Sequence, residues 1–244
     1  MRVAELWRYP VKSLQGERLN QALVTADGLD GDRRFAIFDL QTGFGLTARR
    51  APELLFASAK MMPDGSPRIT LPDGSIVSDN DALSAWLGRP VALRSSRTKA
   101  VRHYENVDDF EREQSSAWRP FQGASGPFHD SPQARISLVS TDTIDGWDRR
   151  RFRPNVLLDG DGEDDLLGST VSCGSATIEL VEKIQRCVIV TRPQPDGIDR
   201  DLGVLRTIGR ERGARLAVGA LVSHPGTMRV GDRLHAQGNS GRHT

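Results

Sequence analysis

The chain has 244 residues, of which 37% are hydrophobic and 27% are charged, and its formal net charge is +1. A chain of this length can bury a hydrophobic core as one large domain or as two smaller ones. The near-neutral charge excludes non-specific nucleic-acid binding as the main function, because proteins of that class carry a strong basic excess.

Neither a targeting signal nor a membrane span is predicted. The N-terminal sequence MRVAELWRYPVKSL lacks the uninterrupted apolar stretch of a signal peptide. No run approaches the roughly 18 apolar residues that are needed to cross a bilayer. The two cysteines, Cys173 and Cys187, are too few for a disulfide framework and form no CxxC metal pair. We therefore expect a cytoplasmic protein in a reducing environment, without a membrane or nucleic-acid partner.

The first hundred residues are predicted to form short strands separated by turns. The sequences DGLDGD, QTG and PDG mark turns, because proline presets φ and Asp-Gly suits a sharp reversal. One short helix is expected at Asn80–Leu87, with Asp79 or Asn80 as its N-cap and Gly88 at its end. The expected strands are Arg2–Trp7, Leu19–Ala26, Arg34–Asp39, Gly45–Ala48, Leu54–Met61 and Val91–Leu93.

The stretch 98–126 has no sustained apolar period, and we interpret it as a connector that its aromatic residues partly order. Beyond it, STDTIDGW (140–147) is typical of a helix start with Ser140 or Thr141 as N-cap. Two closing strands are expected around the HPG and VGD turns near the C-terminus. The other expected strands are Arg135–Val139, Asn155–Leu158, Thr170–Cys173, Thr177–Val181 and Cys187–Thr191.

A second helix is expected at Leu202–Arg212, because its apolar residues recur on one face. Taken together, the patterns predict a mainly β (α+β) protein of two β-barrel-like modules with a few short helices. The predicted division is 1–115 for the first module and 116–237 for the second, with a disordered tail at 238–244.

Five polar stretches lie where a predicted strand meets a loop, which is where binding sites are usually built. Simpler interpretations exist for several of them. A lysine in a turn is most often a solvated charge, and one arginine of DRRF is expected at the surface. The stretches are YPVKS, DRRF, TAR, RFRPN and QRC, and they contribute Lys12, Ser13, Arg33, Arg49, Arg153, Asn155 and Arg186.

Cys187 directly follows Arg186 at the head of an apolar run. A lone cysteine is more often a small buried hydrophobe, which is our interpretation of Cys173. A neighbouring guanidinium favours the thiolate, which is the reactive and metal-binding form. Along a strand the two side chains would point to opposite faces, so Arg186 can assist only if Cys187 lies before the strand begins.

The residue types in these stretches indicate a ligand class. A soft thiolate selects thiophilic metals, and several arginines with a lysine favour an anion such as phosphate. A thiolate ligand and a phosphate cradle in one protein suggest a metal that is carried by a phosphorylated organic cofactor.

The same stretches resemble a known family. YPVKSLQGE, GLDGDRRFAIFD and TARR resemble the MOSC N-terminal β-barrel domain. FHDSPQARISLVS, FRPNVLLDG, QRCVIVT and HPGTMRVGD resemble the MOSC domain, which is named for the C-terminal part of molybdenum cofactor sulfurases. The resemblance runs from about residue 2 to residue 236, and in architecture the chain resembles the amidoxime-reducing and YcbX-type molybdenum proteins.

The resemblance implies a molybdenum–molybdopterin cofactor, with Cys187 as the metal ligand and catalytic residue. It implies a two-electron reduction that removes oxygen from a small N-hydroxylated or N-oxygenated substrate. The electrons are expected from a separate ferredoxin-, flavodoxin- or cytochrome-like protein, because no cysteine follows residue 187, whereas YcbX-type proteins carry a C-terminal ferredoxin module. The residues implied to hold the pterin and its phosphate are Lys12, Ser13, Arg33, Ser140, Arg153 and Arg186, with Arg49 and Asn155 in supporting roles.

One loop departs from the family pattern, and alternative functions stay open. Where relatives carry a VDPxTG-like stretch this chain reads TRPQPDG, so that Pro193 replaces an expected aspartate and Asp196 lies nearby. A sulfur carrier or cofactor-handling protein with a Cys187 persulfide would use the same thiolate chemistry. A non-catalytic ligand-binding module is a third possibility, and a thiol hydrolase that pairs Cys187 with His224 is the least favoured.

Overall fold

The computed structural model describes residues 1–98 and 102–237, and the predicted tail at 238–244 lies outside them. Strands dominate the described residues, which contain two α-helices and several short 3-10 helices. The mainly β fold class is therefore confirmed. No helix in the described ranges is both long enough and apolar enough to cross a membrane.

Within the described residues, ten strands precede residue 123 and seven follow it. The first ten are β1 (Val3–Arg8), β2 (Glu17–Leu19), β3 (Gln21–Thr25), β4 (Gly28–Leu29), β5 (Phe35–Asp39), β6 (Ser58–Met61), β7 (Pro67–Thr70), β8 (Val91–Ser95), β9 (His103–Val107) and β10 (Trp118–Gln122). The other seven are β11 (Ile136–Ser140), β12 (Val156–Leu158), β13 (Thr170–Cys173), β14 (Ala176–Gln185), β15 (Arg215–His224), β16 (Gly226–Arg229) and β17 (Leu234–Ala236).

Both α-helices have the bounds that the sequence predicts. Helix α1 (Asn80–Leu87) begins after Asp79, whose carboxylate accepts the Ala82 N–H at 2.9 Å. Helix α2 (Leu202–Arg212) begins after Asp201 and buries Val204, Leu205 and Ile208 against the sheet. Each helix ends at a glycine in the left-handed conformation, where the missing Cβ removes the steric cost.

The largest sheet joins the start of the chain to its second half. Its eight strands follow the order β17-β13-β14-β15-β11-β12-β1-β2, so that β1 pairs antiparallel with β12. A single core contains side chains from both parts, including Leu6 and Val24 beside Ile178 and Val218. The segment after β1, which contains YPVKS, is therefore held against the strands that carry RFRPN and QRC.

A second core lies between two small sheets and α1. The pairs β5–β8 and β6–β7 enclose buried apolar side chains that include Leu14, Ile37, Leu54 and Leu83. This core extends to the YPVKS segment, because Val11 lies within that segment and Leu14 directly follows it. The division of the chain at residues 115 and 116 stays a prediction.

Three predicted strands of the first half differ in the structure. Leu19–Ala26 is two strands, β2 and β3. Gly45–Ala48 forms only an isolated bridge, from Gly45 to Phe38. The predicted strand Leu54–Met61 begins as a 3-10 helix, Pro52–Phe56, because proline lacks a backbone N–H and suits the first turn of a helix. Only Ser58–Met61 is a strand there.

The predicted connector contains the β9–β10 hairpin. Its Tyr104 ring is 1% exposed, and it fits closely because a Cβ on Gly45 or Gly123 would lie within 2.4 Å of ring atoms. Phe121 packs beside it, with the ring centroids 5.7 Å apart. This pairing depends on glycines that are remote in sequence, so the local pattern did not reveal it.

The segments at Cys187 and Ser140 also differ from prediction. Strand β14 ends at Gln185, and Val188–Thr191 is a 3-10 helix with Cys187 in the N-cap position, so the predicted strand Cys187–Thr191 is wrong. The predicted helix start at 140–147 is only a short 3-10 turn, Asp142–Ile144, and no side chain caps it.

Candidate functional site

A cavity of about 680 Å³ brings together eight of the nine residues that the sequence nominated. They come from five separate segments, which the large sheet and the second core hold against one another. Their individual roles stay predictions, but they share one cavity. The eight are Lys12, Ser13, Arg33, Arg49, Arg153, Asn155, Arg186 and Cys187.

Ser140 is the exception, because it does not line this cavity, and its predicted role stays a prediction. It is fully buried at the end of β11, where its hydroxyl bonds to the carboxylate of Glu163 and lies 2.9 Å from the Thr143 hydroxyl. The Thr143 hydroxyl donates to the same Glu163 oxygen at 2.8 Å. Ser140 therefore connects β11 to the 3-10 helix Glu163–Leu166 rather than lining the cavity.

Three cavity residues have left-handed backbone conformations. Ser13, Arg33 and Arg153 have φ angles of 72°, 48° and 52°. Such angles are uncommon outside glycine and cost about 1–3 kcal/mol each, and they cluster at functional sites. Backbone hydrogen bonds hold the turns, for example from Arg33 N to Tyr9 O at 2.7 Å. The fold thus stabilises these three energetically unfavourable backbone conformations at the point where the side chains meet.

Asp130 holds two of the cations in place. Its carboxylate accepts from Lys12 Nζ at 2.5 Å and from Arg49 Nη2 at 2.9 Å, and Lys12 also donates to Phe128 O at 2.8 Å. Burial alone would raise the pKa of Asp130, but the charges of Arg49 and Lys12 outweigh it and lower that pKa. The side chain lines the cavity, and 52% of its surface is accessible.

Tyr9 orients two further arginines. Its ring lies 5.2 Å from the Arg33 guanidinium and 4.4 Å from that of Arg153, at distances typical of cation–π contacts. Asp32 pairs with Arg33 and also accepts the Tyr9 N–H at 2.7 Å. Asn155 adds a contact, because its Oδ1 lies 3.4 Å from Arg33 Nη1.

Arg153, which is buried, and Arg186, which is half-buried, both remain charged. Burial lowers the pKa of each to about 10, which is still well above neutral pH. Arg186 donates from Nε to Leu216 O at 2.7 Å and from Nη1 to Phe152 O at 3.0 Å. Its remaining nitrogen, Nη2, is buried and has no hydrogen-bond partner among the described residues.

Cys187 is half-buried in the cavity, beside a guanidinium from a distant part of the chain. Burial alone would lower the pKa of Arg49, but the carboxylate of Asp130, which accepts a hydrogen bond from it, and the nearby sulfur of Cys187 raise that pKa. Arg49, as well as the adjacent Arg186, therefore places positive charge close to the sulfur of Cys187. Cys173 differs, because it is 1% exposed in the core and burial raises its pKa to about 12.

The cavity contains more positive charge than the protein neutralises. Eight lysine and arginine side chains line it, against three carboxylates, Asp108, Asp130 and Glu182, while a fourth carboxylate, Asp32, pairs with Arg33 from outside the lining. An unpaired buried polar group costs about 1–3 kcal/mol, so a set of them indicates a missing partner. The buried atoms without a partner here are Arg49 Nε and Nη1, Arg153 Nη1, Arg186 Nη2 and His129 Nε2.

These residues fit the predicted cofactor class. The unpaired guanidinium nitrogens suit a phosphate, and the accessible sulfur suits a thiophilic metal. Among the described residues no group of three or more His, Cys, Asp or Glu side chains could hold a metal ion by itself. A metal at Cys187 therefore needs further ligands from the molecule that carries it.

The structure does not favour two of the earlier suggestions. His224 pairs with Thr177 at one end of β14, while Cys187 follows the other end, about 25 Å along the strand, so a Cys187–His224 hydrolase pair is wrong. Asp196 is 82% exposed and pairs with Arg150 outside the cavity, so it does not replace the missing aspartate. Asp130, and not Asp196, places a carboxylate at the cavity.

Sequence reasoning missed His129 and Asp130. Both line the cavity and lie shortly before β11. They belong to the stretch FHDSPQARISLVS, which contributes to the family resemblance. A usable signal was present, because two adjacent titratable residues stand between an aromatic residue and a predicted buried strand. Polar residues at strand ends are frequent site components.

Replacing Ser140 with alanine is expected to lower stability without affecting anion binding. Loss of the bond to buried Glu163 should decrease the free energy of unfolding by about 1–3 kcal/mol. Denaturant unfolding measures this change, and a titration with inorganic sulfate measures anion affinity. A weakened sulfate affinity in a folded Ser140→Ala variant would return Ser140 to the site.

In this mainly β fold, one accessible thiol thus lies in a cavity that is lined by a cluster of cations. The chain belongs to the MOSC family. The model of the MOSC N-terminal beta barrel domain matches residues 1–113, and that of the MOSC domain matches residues 125–235.

Curated relatives and solved structures are similar over most of the chain. Mitochondrial amidoxime-reducing component 1 of Mus musculus is 25% identical over 284 residues, which cover 97% of this chain and 82% of that protein. The Homo sapiens protein of the same name is 24% identical, with coverages of 97% and 83%. The YUAD protein from Bacillus subtilis is 13% identical with a TM-score of 0.43, and the match covers 96% of this chain and 93% of that one.

Proposed function

We propose that this protein is a molybdenum-cofactor-dependent oxidoreductase that reduces N-hydroxylated or N-oxygenated compounds, with the Cys187 thiolate as the metal ligand. The main support is the set of unpaired, buried guanidinium nitrogens of Arg49, Arg153 and Arg186 in the cavity that contains this cysteine. Membership of the MOSC family and the names of the curated relatives agree with the proposal.

The cations hold and orient a phosphorylated pterin. Arg153 and Arg186 carry positive charge, each has a buried nitrogen without a partner, and guanidinium groups bind phosphate through two parallel hydrogen bonds. Lys12 and Arg49 are positioned by Asp130, and Arg33 by Asp32 and Tyr9. These partners keep the long side chains extended before a ligand arrives, which reduces the entropy lost on binding.

Cys187 anchors the metal from the protein side. Its place ahead of the 3-10 helix Val188–Thr191, rather than within a strand, lets both Arg186 and Arg49 lie near the sulfur. When bound, the molybdenum–molybdopterin group supplies a centre that accepts oxygen and cycles between two oxidation states two electrons apart.

The net reaction converts an N–OH group, two electrons and two protons into an N–H group and water. The N–O bond breaks, and the oxygen leaves as water. We propose that a separate ferredoxin-, flavodoxin- or cytochrome-like protein supplies the electrons. A reducing compartment such as the cytoplasm suits this chemistry, because the Cys187 thiol must escape oxidation.

The test is to purify the full chain from a host supplied with molybdate and to analyse metal and pterin. We expect molybdenum and molybdopterin in equimolar amounts with the chain. The same preparation should convert an aromatic amidoxime into the amidine, with a chemically reduced viologen dye as electron donor.

Two results would contradict this proposal. Protein from the supplied host without molybdenum or pterin would remove the cofactor assignment. A trapped persulfide on Cys187, without amidoxime reduction by metal-loaded protein, would support the sulfur-carrier alternative instead.

A further inference from the structure

A largely buried ion pair joins the Cys187 segment to the segment that carries Arg49. Arg192 follows the 3-10 helix Val188–Thr191 and is 7% exposed. It donates from Nη1 to Glu113 Oε1 at 3.0 Å and from Nη2 to Glu113 Oε2 at 2.6 Å. Arg192 Nη2 also donates to the backbone carbonyl of Arg49. Three segments that are far apart in the chain therefore meet at one guanidinium.

The proposed function leaves this pair without a role, because neither Arg192 nor Glu113 lines the cavity. Moving two charges out of water is costly, so a buried pair adds little net stability compared with apolar residues of similar size. The contact with the carbonyl of Arg49 indicates a geometric role instead.

The Arg49 side chain is held at both of its ends. At its tip, Nη2 donates to Asp130 at 2.9 Å, while Nε and Nη1 are buried without a partner. At its base, the carbonyl that Arg192 fixes lies in a turn between β5 and the 3-10 helix Pro52–Phe56. Arg49 and the nearby Cys187 line the same cavity, so a shift of this turn would move the guanidinium relative to the sulfur.

We propose that Arg192, held in place by Glu113, is a positioning residue that keeps the Arg49 guanidinium beside the sulfur of Cys187. The inference deepens the proposed function and rests on it for one consequence, the binding of an anionic, metal-bearing group at this sulfur. The arrangement itself does not require that group. It is therefore tested on the full chain, made in a host that lacks molybdopterin.

The ratio of two alkylation rates at Cys187 measures the positive charge near its sulfur. Iodoacetate is an anion and iodoacetamide is neutral, but both react with the thiolate, so their rate ratio at one fixed pH is independent of the amount of thiolate. Mass spectrometry of the peptide that contains Cys187 gives both rates. We expect Arg49→Gln to lower the ratio of iodoacetate to iodoacetamide rates about fivefold, which corresponds to the attraction of two unit charges about 4 Å apart in water.

Glu113→Ala separates a positioning role from a direct effect of charge. By charge alone, loss of this carboxylate would leave Arg192 without its counter-ion and would raise the ratio. Loss of positioning lowers it, and we expect a fall of at least about twofold, as part of the effect of Arg49 itself. Adding Glu113→Ala to Arg49→Gln should cause no further fall, because the effect acts through Arg49.

Glu111→Ala is the matched control, because Glu111 lies in the same segment but pairs with the exposed Arg206 at 2.5 Å. Its ratio should equal that of the wild type. Arg192→Lys is a second variant, which keeps the charge but lacks the planar guanidinium that bonds both carboxylate oxygens of Glu113. It should also lower the ratio, and it serves if Glu113→Ala does not fold.

The possible failures are distinguishable. An unchanged or raised ratio in folded Glu113→Ala would overturn the positioning role and leave the cofactor assignment intact. A wild-type ratio in Arg49→Gln would overturn the placement of this guanidinium beside the sulfur. Protein from the molybdate-supplied host that lacks molybdenum would overturn the proposed function, while the alkylation ratios would still support the positioning role.

Discussion

Replacing Cys187 with serine is expected to reduce molybdenum in the purified protein to background and to abolish amidoxime reduction. Serine preserves the size of the side chain but replaces a soft thiolate with a neutral hydroxyl, which thiophilic metals do not favour. Changes to residues that merely support a ligand cost about 10–100-fold in affinity or activity, so loss of the ligand itself should exceed a factor of about 100. Metal analysis and reductase assays on the same preparation measure both effects.

Cys173 provides the matched control for that experiment. It lies in the core formed by the large sheet, 1% exposed, where it acts as a small apolar residue. Cys173→Ala should lose some stability but keep its molybdenum and its activity per bound metal. Equal metal loss in both variants would show that the effect arises from the fold and not from the sulfur of Cys187.

Stability is expected to fall as the pH decreases from about 6.5, and His129 should account for most of the loss above pH 4. In the unfolded chain this ring has the ordinary histidine pKa of 6.5, whereas burial in the folded protein lowers its pKa to about 3. Between these values the unfolded state takes up a proton that the folded state does not. The loss is therefore absent above pH 6.5, increases as the pH falls, and is complete near pH 3.

The size of this loss follows from the same two values. One unit of pKa difference corresponds to about 1.4 kcal/mol, so on the order of 3 kcal/mol should be lost between pH 6.5 and pH 4. The lowered pKa of Asp130 affects stability in a separate, lower pH range. Its stabilisation is present above its ordinary pKa of 3.8 and is lost only below that value. Urea unfolding at several pH values, without sulfate or phosphate, measures the curve.

The variant His129→Gln isolates the contribution of this histidine. Glutamine keeps a polar side chain but has no proton to gain, so its stability curve should be nearly flat from pH 6.5 to pH 4. His224→Gln, at an exposed position, should retain the wild-type slope. A wild-type slope in a folded His129→Gln protein would show that other groups cause the loss.

Local sequence patterns predicted the parts of the fold that depend on neighbouring residues. The bounds of both α-helices and the strands β1, β5, β12 and β13 were found within one or two residues. Capping side chains, terminal glycines and apolar periodicity lie within a few residues of the elements that they define. The Cys187 segment shows the limit of this approach, since its β-branched residues favour a strand but form a 3-10 helix.

The sequence by itself determined the mainly β class, the two helices and the residue types of the candidate site. Only the tertiary structure decided that Arg49 lies beside Cys187, that Asp130 joins Lys12 to Arg49, and that Ser140 belongs with Glu163. These contacts join residues far apart in the chain, and no periodic pattern encodes them. They depend on the packing of the large sheet against the second core, because that packing sets which loops share a cavity and which polar side chains find partners elsewhere.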